Sequence, residues 1–264
     1  MGISKLIGLK AITLLMVFAY IRKTSFAIFS IPLLHASLVS FLVAIVSHPS
    51  INLPLLFGKT SDGSFPLWSI FLFGPYLLFV RVFVTLRRFV SREPSYSEIC
   101  EGVYVGGWPS SLDKLPPGDP AIIDCTCELP RNRDMLKNAY LCVPTWDTRA
   151  PQPEEIESAV RWASRKRAQK VPVFIHCAFG HGRSVAVVCA LLVALGVAEN
   201  WKNAEEIIRG RRPCIRMNSL HRKHLEAWSK NRLSPKKNEE MGVSSVILSG
   251  ASENLRQKRS QSKR

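Results

Sequence analysis

Hydrophobic and polar positions alternate in two different ways along this chain. In the N-terminal third the apolar runs are long and uncharged. Ser25 to Ser47 carries no charge and exceeds the ~20 residues that a bilayer-crossing helix needs. Phe65 to Val80 is a second uncharged run, and it continues past Arg81 through Val82, Phe83 and Val84, which predicts a second span. Leu6 to Ile21 is interrupted by Lys10 and reads as a short span, an interfacial helix or a retained signal-like segment. Pro32 and Pro75 are tolerable in such helices. After Val90 the runs shorten. Ser91 to Ser97 reads as a polar linker. Gly102–Trp108, Ala121–Cys125, Ala139–Val143 and Val171–Ile175 then read as four short strands. Helical periodicity lies between and after them, at Pro153–Gln169, Val185–Leu195, Asn203–Gly210 and Ser219–Lys230. Pro153–Gln169 opens with acids and closes with bases, as a helix dipole prefers. Alternating strands and helices predict an α/β fold with a central, mostly parallel sheet flanked by helices, preceded by two or three transmembrane helices. The expected division is 1–90 membrane region, 91–233 globular region and 234–264 a disordered basic tail.

Charge adds an orientation. The 264 residues carry a net +16, compatible with phosphorylated substrates and anionic membrane surfaces. No nucleic-acid module is visible. Arg81, Arg87, Arg88 and Arg92 follow the last apolar run, whereas the segment His48 to Ser64 contains a single base, Lys59. The bias towards basic cytosolic flanks therefore predicts an integral membrane protein with His48–Ser64 lumenal and the globular region cytosolic. The seven cysteines show no metal spacing and suit free thiols in a reducing compartment. No metal or cofactor is implied.

Candidate chemistry concentrates in Val171 to Gly196. A buried strand, a glycine-bearing loop from Cys177 to Gly182 and a helix opening at Arg183 and Ser184 aim backbone N–H groups and a positive helix end at one point. An anion belongs there. The same environment favours Cys177 as a thiolate. Gly180 and Gly182 are expected to take positive φ and turn the loop amides of Ala178, Phe179, Gly180, His181 and Gly182 inward. Arg183 offers a planar fork for two phosphoryl oxygens. Ser184 can donate to the sulfur when it leaves, and His176 orients the loop.

The pattern His176-Cys177-x-x-Gly180-x-x-Arg183-Ser184 resembles the active-site loop of cysteine-dependent protein tyrosine phosphatases, more narrowly an atypical dual-specificity phosphatase. The resemblance covers roughly Tyr96 to Leu233. It implies an enzyme hydrolysing phosphotyrosine, phosphoserine and phosphothreonine monoesters on proteins through a phosphocysteine, which the apolar runs of the N-terminal third would anchor in a membrane. Asp147, in a loop framed by Pro144 and Pro151, lies at a spacing before Cys177 that resembles the family's general-acid loop. Asn218 matches a position where the family often carries asparagine, and is expected to brace the active-site loop. A phospholipid phosphatase is the second expectation, weakened because Ala178–Gly182 contains no lysine. A non-catalytic phospho-binding scaffold is the third, although binding alone needs no nucleophile. Asp124 reads as structural, Glu128 as a loop residue without a positional role, and Arg149 as a substrate contact or a solvated side chain. Cys125 and Cys127 are candidates to form a protective disulfide with Cys177 across the sheet.

Overall fold

The computed structural model describes residues 3–23, 28 and 30–233, so the expected tail at 234–264 lies outside the described residues. Five strands form one sheet in the order β1-β2-β5-β3-β4. They are β1 (Tyr96–Cys100), β2 (Val103–Gly106), β3 (Ala121–Asp124), β4 (Tyr140–Cys142) and β5 (Val173–His176). Only β1–β2 is antiparallel; β2–β5, β5–β3 and β3–β4 are parallel. Every residue of β3 and β5 is buried, as expected for central strands covered on both faces. The strand β1, YSEIC, falls where the sequence predicts the end of a linker. Its single buried residue, Ile99, is too little apolar signal for a strand, and pairing with β2 supplies the rest.

Four helices follow the expected periodicity: α4 (Pro153–Ala168), α5 (Arg183–Ala194), α6 (Trp201–Arg211) and α7 (Ser219–Leu233). The α4 start is fixed by Glu155, which accepts from the Gln152 N–H at 2.7 Å, and the α6 start by Asn200, which accepts from Lys202 and Asn203 N–H groups. Val103, Val105, Ile123, Val173 and Ile175 point to one sheet face and join α5 and the buried stripe of α4 (Ile156, Ala159, Val160, Ala163) in the main core. Ten consecutive residues of α5, Arg183 to Leu192, are buried.

The N-terminal region forms α1 (Ile3–Ile21), α2 (Ser30–Val46) and α3 (Leu67–Ser91). Of these, α1 and α3 are long and apolar enough to cross a membrane. The run at Ser25–Ser47 is a helix only over the 17 residues of α2, and part of it lies outside the described residues. The helices are stitched together by Ser4 and Ser37 hydroxyls donating to Ala44 and Ala11 carbonyls, and by His35 paired with the Leu72 carbonyl at 3.0 Å.

These helices are not detached from the globular region. Phe57, Phe73, Tyr76 and Leu77 share a core with Cys127 and Trp146, and Val84 packs with Trp108, Leu129 and Ala178. The segment His48–Ser64, expected on the far side of a membrane, lies against the sheet. Lys59 is completely buried and donates to Asp124 at 2.7 Å and to the Thr126 carbonyl at 2.8 Å. The Gly63 carbonyl accepts from the Arg131 N–H. Charge bias reports flanking bases, whereas this segment is held by a buried ion pair, the Phe57 packing and the Gly63–Arg131 hydrogen bond, none of which the bias registers.

Candidate active site

The parallel strand β5 ends at His176, and the chain turns at once through Cys177–Gly182 into α5. This turn sits at the carboxyl end of the central strand, where open α/β sheets place ligands. The Gly180 N–H and the Ser184 hydroxyl each reach the Cys177 sulfur at 3.3 Å. Burial opposes ionisation of this thiol. The Arg183 charge, the Ser184 hydroxyl and the backbone N–H groups of Ser184 and His181 outweigh it and hold Cys177 below its ordinary value.

The two loop glycines have different jobs. Gly180 has φ +74°, and a Cβ there would meet the Gly106 backbone at 2.5 Å, so only glycine fits. Gly182 has φ −136°, not the expected positive value; a Cβ there would press on the His221 ring at 2.8 Å. Ala178 is buried, and Phe179 is flanked by α3, with Phe83 edge-on to its ring and Arg87 4.7 Å above it. His181 pairs with Glu93 at 2.5 Å. Among the described residues, Glu93, His181 and Cys214 are the set whose donor atoms could hold a metal ion, and that histidine is already engaged by Glu93.

Arg183 is fixed from several sides. Its guanidinium meets both carboxylate oxygens of Glu128 at 2.9 and 3.1 Å, donates to the Thr145 carbonyl at 2.7 Å and reaches Asp147 at 3.2 Å. Its Nε–H is buried with no protein partner, so a donor remains for a substrate oxygen. Asp147 is 43% exposed and stands at the rim. The structure therefore brings Cys177, Arg183, Ser184 and Asp147 to one place.

Asn218 belongs to the Asp147 side of the site, not to the Cys177 loop. Its amide donates to the Thr148 carbonyl at 2.8 Å, while its side-chain oxygen accepts from the His221 N–H in the first turn of α7. The Cys177 loop is braced by Arg212, a buried residue that donates to the Gly180 and Phe179 carbonyls at 3.2 and 3.0 Å and also to Pro94 and Ser97. His176 is buried under the loop, its Nδ1 3.4 Å from the Cys177 carbonyl and its Nε2 3.9 Å from Asp124. Burial lowers its pKa, and burial together with the Arg183 charge lowers that of His221 to about 4. Arg149 contacts no candidate catalytic group; it caps α2 by donating to the Ser47 carbonyl.

Glu128, Arg212 and Lys59 are the residues that the sequence did not single out as parts of the site. Each is remote in sequence from the partner it holds, and none belongs to a short motif. The only available signal was charge inside apolar surroundings, visible for Asp124 in AIIDC and absent for the other three.

A buried sulfur among N–H donors, with an arginine fork and a carboxylic acid at the rim, is the arrangement expected of a cysteine-dependent phosphatase. Residues 118–231 match the dual specificity phosphatase catalytic domain, and this match supports a cysteine-based dual specificity phosphatase. Similar solved structures include Tk-PTP in the active form, with 25% identity, 52% of this chain and 97% of that chain covered and a TM-score of 0.48. PTPMT1 in complex with PI(5)P has 22% identity, 52% and 96% coverage and a TM-score of 0.46. The human tyrosine phosphatase-like serine/threonine/tyrosine-interacting protein has 20% identity, 53% and 99% coverage and a TM-score of 0.46. No curated protein matches the chain.

Proposed function

We propose that the chain hydrolyses phosphate monoesters at a membrane, with region 1–90 holding region 91–233 there on the cytosolic side. The Cys177 thiolate attacks phosphorus in line; the S–P bond forms as the ester P–O bond breaks. Asp147 gives its proton to the departing oxygen, which is otherwise a poor leaving group. Arg183 and the amides of Ala178 to Gly182 hold the three equatorial oxygens as charge develops. Water then attacks the phosphocysteine with Asp147 as base. Inorganic phosphate leaves, and Ser184 stabilises the released thiolate by the hydrogen bond it already makes. His176 and Asn218 position the nucleophile loop and the acid loop respectively.

On substrate, one observation favours the lipid alternative over the phosphoprotein first expected. A cavity of about 240 Å³ adjoins the site. Asp147, Glu128, Ala178 and Phe179 line one end, while Leu6 and Ile7 of α1 and Tyr76, Phe79, Val80 and Phe83 of α3 form its walls. Such walls suit an acyl chain and offer few partners to a solvated peptide. Arg87, which also lines the cavity, supplies the cation that Ala178–Gly182 lacks. The substrate class proposed is a phospholipid carrying a phosphate monoester. Turnover by the full chain is to be compared on vesicles containing phosphoinositides or phosphatidic acid and on phosphotyrosine and phosphothreonine peptides. Faster lipid turnover is expected. Faster peptide turnover would return the assignment to a protein phosphatase.

A further inference from the structure

Helix α3 carries two apolar faces. Phe73, Tyr76, Leu77 and Val84 are buried against the globular region. The opposite stripe, Phe71, Leu78, Val82, Leu86 and Phe89, recurs at helical spacing and is open, with Phe71 87% and Phe89 84% exposed. A surface of this kind requires cover.

Both ends of the helix are tied to the same folded unit. Ahead of it, Lys59 is buried on Asp124 and the Gly63 carbonyl accepts from Arg131. At its end, Arg88 donates to the Trp108 carbonyl. A helix that crosses a bilayer separates its ends by about 30 Å of hydrocarbon, with flanking segments on opposite sides. The 25 residues of α3 are long enough for that, but its flanks cannot be on opposite sides while both dock on one sheet.

We propose that α3 lies in the plane of the membrane interface with its Phe71–Phe89 stripe immersed in lipid, and that segment 48–64 is on the same side as the catalytic region. The partner is an anionic bilayer surface. Residues 1–92 contain nine lysines and arginines and one acid, Asp62. Arg92 is exposed at the C-terminal end of α3, and Arg87 is exposed on its cavity side, over the Phe179 ring; both are cations available to anionic headgroups. The inference rests on membrane association, and it places the mouth of the cavity at the lipid surface, because Phe79 and Phe83 both line that cavity and are partly exposed.

The test uses the full chain in sealed membrane vesicles whose outer face carries the catalytic region, as shown by protease sensitivity in the same preparation. Asp62 is exposed. Asp62→Cys, compared with the unmodified chain, is expected to react with a membrane-impermeant maleimide to the same extent before and after detergent. Reaction only after detergent would overturn the proposal. Asp62→Asn is a second, near-isosteric variant. It completes an Asn-Gly-Ser glycan acceptor in a chain with no other such acceptor. No glycan is expected, and an added glycan would overturn the proposal independently. Recovery of the chain in the soluble fraction, or as a lipid-free dimer cross-linked through Phe89→Cys, would remove the bilayer as the partner. Hydrolysis of a small aryl phosphate in the same samples reports separately on the catalytic assignment.

Discussion

Replacing Lys59 by methionine should damage the catalytic region as severely as a core mutation, although Lys59 lies outside residues 118–231. The Lys59 and Asp124 side chains are 0% and 1% exposed and 2.7 Å apart. Asp124 also accepts from Tyr140 at 2.7 Å and from Thr126. Removing one partner of such a pair leaves a buried charge without compensation, a cost of about 3–5 kcal/mol. Asp124→Asn alone should cost a similar amount by stranding the ammonium. The double variant should lose less than the sum of the singles, with a coupling of about 1–3 kcal/mol for residues in direct contact. The pH dependence gives a second signature. Burial disfavours the Asp124 carboxylate, but Lys59, His176 and the Tyr140 hydrogen bond hold its pKa below the usual range. Its ionisation therefore contributes stability above the unfolded value of about 3.9, lost as pH falls below it. Without Lys59 the burial effect remains and raises the folded pKa. The native state then binds the extra proton, so stability should fall as pH rises above about 4, where Asp124 leaves the parent's stability flat. Chemical unfolding of both proteins across that range, in matched detergent, measures magnitude and sign together. A loss under about 1 kcal/mol with unchanged pH slope would refute the clamp, since it lies far below the cost of breaking a buried pair.

Three further outcomes follow from the site. Asp147→Asn should lower kcat on a poor leaving group by about 10²–10⁴, with a smaller loss on an activated aryl phosphate, as steady-state kinetics on the two substrates will show. Ser184→Ala removes a donor that favours the thiolate, so the acidic limb of the kcat/KM profile should move to higher pH; an unmoved limb would place thiolate stabilisation elsewhere. Cys125 continues the β3–β5 register beyond the Asp124–His176 pair and donates its N–H to the His176 carbonyl, whereas Cys127 packs with Phe57 and Trp146. Recovery from peroxide by reductant should therefore fail in Cys125→Ser and persist in Cys127→Ser, because only Cys125 is placed to condense with a Cys177 sulfenic acid, releasing water.

Local signals carried far in this chain. The nucleophile loop was legible because its chemistry is packed into nine consecutive positions, His176 to Ser184, directly between a strand and a helix. Four strands and four helices were legible from periodicity, since their burial follows their own apolar spacing. Three features were not. The strand β1 is a short edge strand whose order comes from β2. The grip of Glu128 on Arg183 joins residues 55 positions apart, and the brace of Arg212 on Gly180 joins residues 32 apart. The apolar runs of the N-terminal third revealed affinity for apolar surroundings without saying which. For Phe73, Tyr76 and Val84 those surroundings are the globular region itself. Hydropathy records where apolar residues are consecutive; it does not record which face of the resulting helix is already covered.

The central claim is that Cys177 carries the phosphoryl group. Acid quenching of the full chain during turnover of a ³²P-labelled phosphate monoester, followed by peptide mapping, tests it most directly. The account predicts label on the peptide containing Cys177, and neither label nor turnover in Cys177→Ser at undiminished membrane binding. Sustained turnover by Cys177→Ser would contradict it.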